Sequence, residues 1–308
     1  MFLSKTVPLS VRTTSFLKVS RIHTSLFHSN RIVNSAIEDT AFPSNVTTIG
    51  NNKAALYAFG SRLGLQDLDS HILEQAVTSS TFSTTENNDA LSVLGRHVTL
   101  YYTMEYLHSR YPKLPTSVFK RATNAYTSLK SIASVGQQIG LQHIMRWERP
   151  QVIEDKIKDG HQYAVSNCVN AIIGAIHQQK GSEAAKQFVH DFILSREMKL
   201  SEAFKDIEPK RHLSALMKRL EKESPISRLL SETGRHSSSP VFVIGVFSGQ
   251  EKLGEGFGSS KKMAEYRACR DALINYYAQE EKDFHLPSDA DHLENYHPPV
   301  LADTEVII

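Results

Sequence analysis

The chain has 308 residues, a length for two modest domains rather than one ordinary core. Its 40% hydrophobic, 22% charged and 8% aromatic residues fit a soluble globular protein, and no apolar run nears the roughly 18 residues of a membrane span. Two cysteines, Cys168 and Cys269, exclude a disulfide framework and a CxxC zinc pair.

The net charge of +2 hides an asymmetry. Residues 1–37 carry Lys5, Arg12, Lys18, Arg21 and Arg31 and no acid, among seven serines, four threonines and scattered apolar residues. That composition predicts a mitochondrial transit peptide over 1–37, and with it a place in the mitochondrial matrix. The competing reading is a basic arm that binds nucleic acid. Without this segment 30 basic and 33 acidic residues remain, a net of −3, so nucleic-acid binding by the body has to be local.

From about residue 51 to 198 the apolar spacing predicts helices almost throughout. Residues 199–223 form a charged stretch in which Leu213, Leu216, Met217 and Leu220 recur at helical spacing, which predicts a linker helix. The texture changes over 224–280. Val241–Phe247 reads as a strand, Gly249-Gln250 as a turn, Lys252–Phe257 as a second strand and Ser260–Ala278 as a helix. Residues 281–308 read as an extended acidic tail; from Asp283 onward it has six acids, no Lys or Arg, and three prolines.

Two helical segments carry polar residues at fixed spacing. In Asn87–Val98, the residues Leu91, Leu94, Val98 and Tyr101 predict a buried stripe, and Ser92 and Arg96 share another face. In Asn167–Ile176, the stripe is Val169, Ile172 and Ile176, and Asn167 and Asn170 project together. On periodicity alone both are ordinary core helices.

Residues 87–98 resemble the ribonuclease III signature helix, N-E-R-L-E-F-L-G-D-A-V-L, and residues 166–177 resemble that family's second helix, D-x-x-E-A-x-I-G-A-I-Y. Leu63-Gly64 with His71–Ser80 resembles its first helix pair, so the likeness covers about 53–198. The resemblance implies acids that hold a magnesium pair for phosphodiester hydrolysis. At four of those positions this chain has Ser92, Arg96, Asn167 and Asn170; only Asp89 keeps an acid. The likeness therefore implies the fold without the catalytic residues, metal or cofactor. Val93 stands where the family's dimer-plugging Phe would be.

Residues 224–280 resemble a double-stranded-RNA-binding domain of the α-β-β-β-α kind, with Lys252–Glu265 following its G-x-G-x-S-K-K-x-A-K entry to the last helix. The expected architecture is α+β overall, an all-α ribonuclease III-like domain followed by this small domain. The resemblance assigns RNA contacts to Ser260, Lys261 and Lys262 and, on a short first helix near Pro225–Glu232, to Arg228 and Glu232. Two departures stand out: Glu265 replaces the motif's third basic residue, and the G-P-x-H loop is missing. A nucleotide phosphate loop at Gly254–Lys262 lacks the GxxxxGK[ST] spacing, and fourteen histidines come without HExxH. Trp147 reads as a packing residue, with RNA stacking as its alternative.

Import segment, ribonuclease III fold without four of its acids and weakened duplex-RNA domain together resemble the mitochondrial large-ribosomal-subunit protein forty-four family, fungal type. That likeness implies large-subunit mitochondrial rRNA and neighbouring ribosomal proteins as partners, and a heterodimer with a second ribonuclease III-like ribosomal protein. Two other readings stay open: an active mitochondrial duplex-RNA endonuclease recruiting Glu86, Asp89 and Glu105, and a ribosome-free RNA-binding translation factor.

Overall fold

The computed structural model describes residues 52–148, 160–205, 208–235 and 237–299, so the segment 1–37 lies outside the described residues. The first half contains α1 (Asn52–Arg62), α2 (Ser70–Ala76), α3 (Asp89–Arg110), α4 (Thr116–Thr127), α5 (Leu129–Gln138), α6 (Gly160–Lys180) and α7 (Ser182–Val189). A π-helical turn over His190–Leu194 follows. Every residue of α6 from Ala164 to Ile176 is buried, because α2, α3, α5 and α7 all pack around it. With apolar residues pointing to every side of it, this helix can only sit inside.

Two glycines set how closely α3 and α6 approach. A Cβ on Gly95 would lie 1.7 Å from the carbonyl oxygen of Asn170, and one on Gly174 would lie 2.2 Å from that of Leu91. The backbones touch there, and no side chain fits. This contact rotates α3 away from the stripe its large apolar residues predict. The buried face is Leu91, Ser92, Gly95, Val98, Thr99, Tyr102 and Thr103, whereas Leu94 and Tyr101 are 37% and 56% exposed. Small residues face the close crossing and larger ones are left in solvent. Asn167 and Asn170 are likewise buried among the stripe residues of α6 rather than projecting from it.

The second half is α8 (Leu200–Ala203), α9 (Pro209–Arg219), β1 (Ile226–Thr233), β2 (Val241–Ser248), β3 (Glu251–Gly258) and α10 (Lys261–Tyr277). The three strands form an antiparallel sheet in the order β1-β2-β3. The first helix expected near Pro225–Glu232 is strand β1 instead. It pairs with β2 along its whole length, with an irregularity between Leu229 and Ser231. Eight residues carry too little periodicity to reveal a partner strand further along the chain. The role of first helix falls to α9, expected as a linker: its Leu213, Leu216 and Met217 are buried in one core with Ile244, Val246, Ala268 and Leu273. The small domain therefore starts before residue 224.

Gly254 and Gly256 of β3 lie against Ala264, Ala268 and Ala272 of α10. A Cβ at Gly254 would be 2.5 Å from the amide nitrogen of Ala272, and one at Gly256 would be 2.3 Å from that of Ala268. The glycine run thus serves close packing of helix on sheet, and Gly249, at φ 59°, makes the β2–β3 turn. The two halves meet where Val118 of α4 is fully buried beside Ala203 and Phe204 in the second core. The tail is not uniformly extended: Leu286 is buried and Pro287–His292 forms a 3-10 turn. Among the described residues no helix is long and apolar enough to cross a membrane.

Replacing Gly95 with Ala should destabilise the protein by roughly 3 kcal/mol, the upper end of overpacking costs. Thermal unfolding should register this as a midpoint lowered by roughly 6–12 °C. An unchanged midpoint would mean that the α3–α6 crossing can open without cost.

Candidate nucleic-acid interface

Ser260 caps α10, its Oγ accepting the Met263 amide at 3.2 Å. Ser at this position satisfies one of the four amides a helix start leaves unpaired. Lys261 and Lys262 follow in the first turn and are exposed, so ammonium groups, free amides and the positive end of the helix dipole converge. Lys261 Nζ lies 5.8 Å from the centre of the Phe242 ring. That contact draws the ammonium toward the ring face of the sheet, while the residue as a whole stays exposed.

Glu265, one turn further on, is occupied internally. Its carboxylate accepts from Lys210 Nζ at 2.8 Å and from Ser227 Oγ at 2.9 Å, tying α9, β1 and α10 together. Those hydrogen bonds hold its pKa below the usual carboxylate range, and the carboxylate in turn raises that of Lys210. Where the motif has a third cation for phosphate, this chain has a brace.

The structure does not gather all five sequence-assigned RNA residues. Arg228 pairs in register with Gly245, between the buried Ile244 and Val246, and so lies on the sheet face away from α10. There its guanidinium sits 5.0 Å from the Phe247 ring centre and donates to the Gly249 carbonyl at 3.3 Å. Glu232 stands opposite Phe242, the ring beneath Lys261, and forms an ion pair with Arg235 at 3.5 Å. Sequence reasoning missed Arg235. It is exposed in the β1–β2 turn, after Gly234 at φ 64°, and only knowledge that β1 is a strand marks that segment as a hairpin tip.

The ribonuclease positions sit around the α3–α6 crossing. Asp89 and Arg96 are exposed on α3. Ser92 is buried and donates its hydroxyl to the Asp89 carbonyl at 2.8 Å. Asn167 and Asn170 are buried on α6, and Asn167 Oδ1 has no hydrogen-bond partner among the described residues. These residues do not fit a magnesium pair. Two hard divalent ions need anionic oxygens to fix and neutralise them, and this set offers neutral oxygens and a guanidinium. Nor is Glu105 a free substitute, because Ser288 donates to it from both its amide, at 2.6 Å, and its hydroxyl, at 3.0 Å. Glu86 is exposed, 3.8 Å from His71. The one buried thiol nearby, Cys168, is pushed up to about 12 by burial and is no nucleophile. Trp147 is half-buried and edge-on to His161 with ring centres 5.4 Å apart, a packing role.

The Lys210–Glu265 brace has a definite pH signature. A carboxylate whose folded pKa is depressed stabilises the fold above its unfolded value, about 4.3, and loses that contribution as pH falls through the folded value. The raised Lys210 acts oppositely: its contribution is present below about 10.4 and is lost as pH climbs past the folded value. Glu265→Gln should therefore cost roughly 0.5–1 kcal/mol at pH 7, the range of an exposed pair. Denaturant titrations should show the gap between variant and parent shrinking as pH falls below about 4. A constant gap down to acid pH would remove the ion pair from the explanation.

Residues 69–197 match the Ribonuclease-III-like family, and residues 204–302 match the MRPL44 dsRNA-binding domain. The second match begins ahead of α9, in keeping with that helix's place in the second core. The chain is 48% identical over 109 residues to the large ribosomal subunit protein mL44 of Neurospora crassa, a stretch that covers 35% of this chain and 25% of that protein. The match thus spans a quarter of that relative's length. It is 22% identical over 277 residues to the large ribosomal subunit protein mL44 of Caenorhabditis elegans, covering 82% of this chain and 66% of that protein. Ribonuclease 3 of Symbiobacterium thermophilum is 29% identical over 221 residues, 69% of this chain and 90% of the enzyme. Through the succession of these two domains, Ribonuclease-III-like and then MRPL44 dsRNA-binding, the chain is similar to the large ribosomal subunit proteins mL44.

Proposed function

We propose that this protein is a structural component of the mitochondrial large ribosomal subunit, holding ribosomal RNA without cleaving it. The observation that carries the reading is the set at the α3–α6 crossing: Ser92, Asn167 and Asn170 are buried and uncharged, and Arg96 stands exposed beside them. A cation there attracts phosphate and repels the metal that would hydrolyse it. The fold serves as a scaffold, and the RNA contacts move to the second domain.

At the start of α10, Lys261 and Lys262 hold backbone phosphates together with the free amides behind the Ser260 cap. Contacts of this kind read duplex shape rather than sequence. Residues 225–282 carry eight basic and seven acidic groups, so this domain alone is a weak ligand for RNA, and affinity comes from contacts combined across the whole chain. On α3, Val93, Leu94, His97, Tyr101 and Met104 form an exposed, mostly apolar strip, with Val93 55% exposed. Such a strip on a soluble protein marks a protein contact, and it is the face for a second ribonuclease III-like ribosomal protein. The basic, acid-free segment 1–37 directs the chain to the mitochondrial matrix.

Sedimentation of a mitochondrial lysate should place the protein with the large subunit. Recovery only near the top of the gradient would contradict the ribosomal reading and favour a free RNA-binding factor. Purified protein given duplex RNA with Mg²⁺ or Mn²⁺ should release no fragments above background. Cleavage that disappears in Asp89→Ala would establish an endonuclease instead.

A further inference from the structure

The acidic stretch after α10 runs back along the first half of the molecule. Lys113 Nζ donates to Gln279 Oε1 at 2.6 Å, and Glu280 accepts from Arg110 at 2.9 Å and from the Tyr111 hydroxyl at 2.7 Å. The Glu281 amide donates to the Arg110 carbonyl at 2.9 Å. Further on, Phe284 meets Tyr106 edge to face with ring centres 5.9 Å apart, and Leu286 is buried. Ser288 then makes its two hydrogen bonds to Glu105, and Asp289 pairs with Lys186 of α7. The order along the segment, from Gln279 to Asp289, follows α3 from the loop beyond its end back to Glu105.

Two of these contacts are unlike surface pairs. Glu105 is 8% exposed and Lys186 6%, and among the described residues the hydrogen bonds found for their charged groups go to Ser288 and Asp289. Both charges are buried with the segment in place, and a hydrogen bond to a charged group is stronger than one between neutral groups, so each anchor favours the docked segment. The acids of the segment also answer cations of the first half: Glu280 answers Arg110, and Asp289 answers Lys186. The contact leaves the apolar strip of α3 open, since Val93, His97, Tyr101 and Met104 stay exposed with the segment in place.

We propose that residues 279–289 are an intramolecular strap that fixes the duplex-RNA-binding half against the ribonuclease III-like half, with Glu105 and Lys186 as its anchors. The strap closes a loop of contacts begun at Val118, which is buried beside Phe204 in the second core. A molecule tied at both places presents the α10 end and the α3 strip in one fixed geometry. Fixing it in advance lowers the ordering cost of engaging RNA and a protein partner together.

Spin labels at Lys130→Cys in α5 and Lys218→Cys in α9, both exposed positions, would report the distance between the halves in the full chain; the native thiols Cys168 and Cys269 are buried. The parent should give one narrow distance distribution, and Ser288→Ala/Asp289→Ala a broad one. In the same variant, amide exchange over residues 284–289 should quicken on the order of tenfold, as for loss of a hydrogen bond to a charged group. Should that pair not fold, Glu105→Gln keeps the side-chain volume and should show the same exchange effect. A broad distribution in the parent would overturn the proposal. So would a narrow one in a variant whose strap exchanges freely, because Val118 and α8 would then hold the halves unaided. Unchanged exchange in the variants would show that Glu105 and Lys186 are not anchors.

Discussion

The backbone contact between α3 and α6 at Gly95 and Gly174 is the constraint on which the first half depends. With no Cβ between them, the two helices come close enough for a carbonyl oxygen of each to occupy the space a methyl group would need. Everything else on these helices follows from that crossing. It brings Ser92 and Thr99 to the inside, buries Asn167 and Asn170, and turns Leu94 and Tyr101 outward. Here it assembles neutral hydroxyl and amide groups, and the stability of the helix pair is retained without the cost of clustering carboxylates.

The second half uses the same device between helix and sheet. Gly254 and Gly256 face Ala264, Ala268 and Ala272, so α10 lies almost on the backbone of β3. A helix seated this closely has little freedom to roll, and its first turn is aimed by the sheet. Lys261 and Lys262 therefore have a fixed direction even though their own side chains are exposed. The Lys210–Glu265–Ser227 contacts add a polar brace at the same end. Rigid packing supplies the geometry, and two lysines with a helix end supply the charge.

Carboxylates do their work away from the α3–α6 crossing. The four family positions without acids lie on α3 and α6, whereas the acids of residues 279–289 lie beyond α10, where Glu280 and Asp289 meet Arg110 and Lys186. Carboxylates thus act here as fasteners between domains. The difference matters physically: a carboxylate paired with a single cation and hydrogen-bonded holds two elements together, whereas clustered carboxylates repel until a metal arrives.

Much was legible in the sequence because its signals are local. The alanines four apart in α10, the β2–β3 hairpin and the two domain types all depend on residues a few positions apart. What the tertiary structure decided depended on contacts between distant segments. The buried face of α3 was set by backbone contact with α6 some 75 positions later, which no apolar count within α3 can reveal. Ile226–Thr233 became a strand because β2 offers its edge, and α9 became a domain helix because the sheet offers it a core. The acidic segment reads as solvated from its composition alone, since charges in one stretch of chain repel and attract water. Only when folding sets Arg110 and Lys186 beside it does that charge become a reason to dock, because an ion pair forms between positions in space and not between positions in sequence.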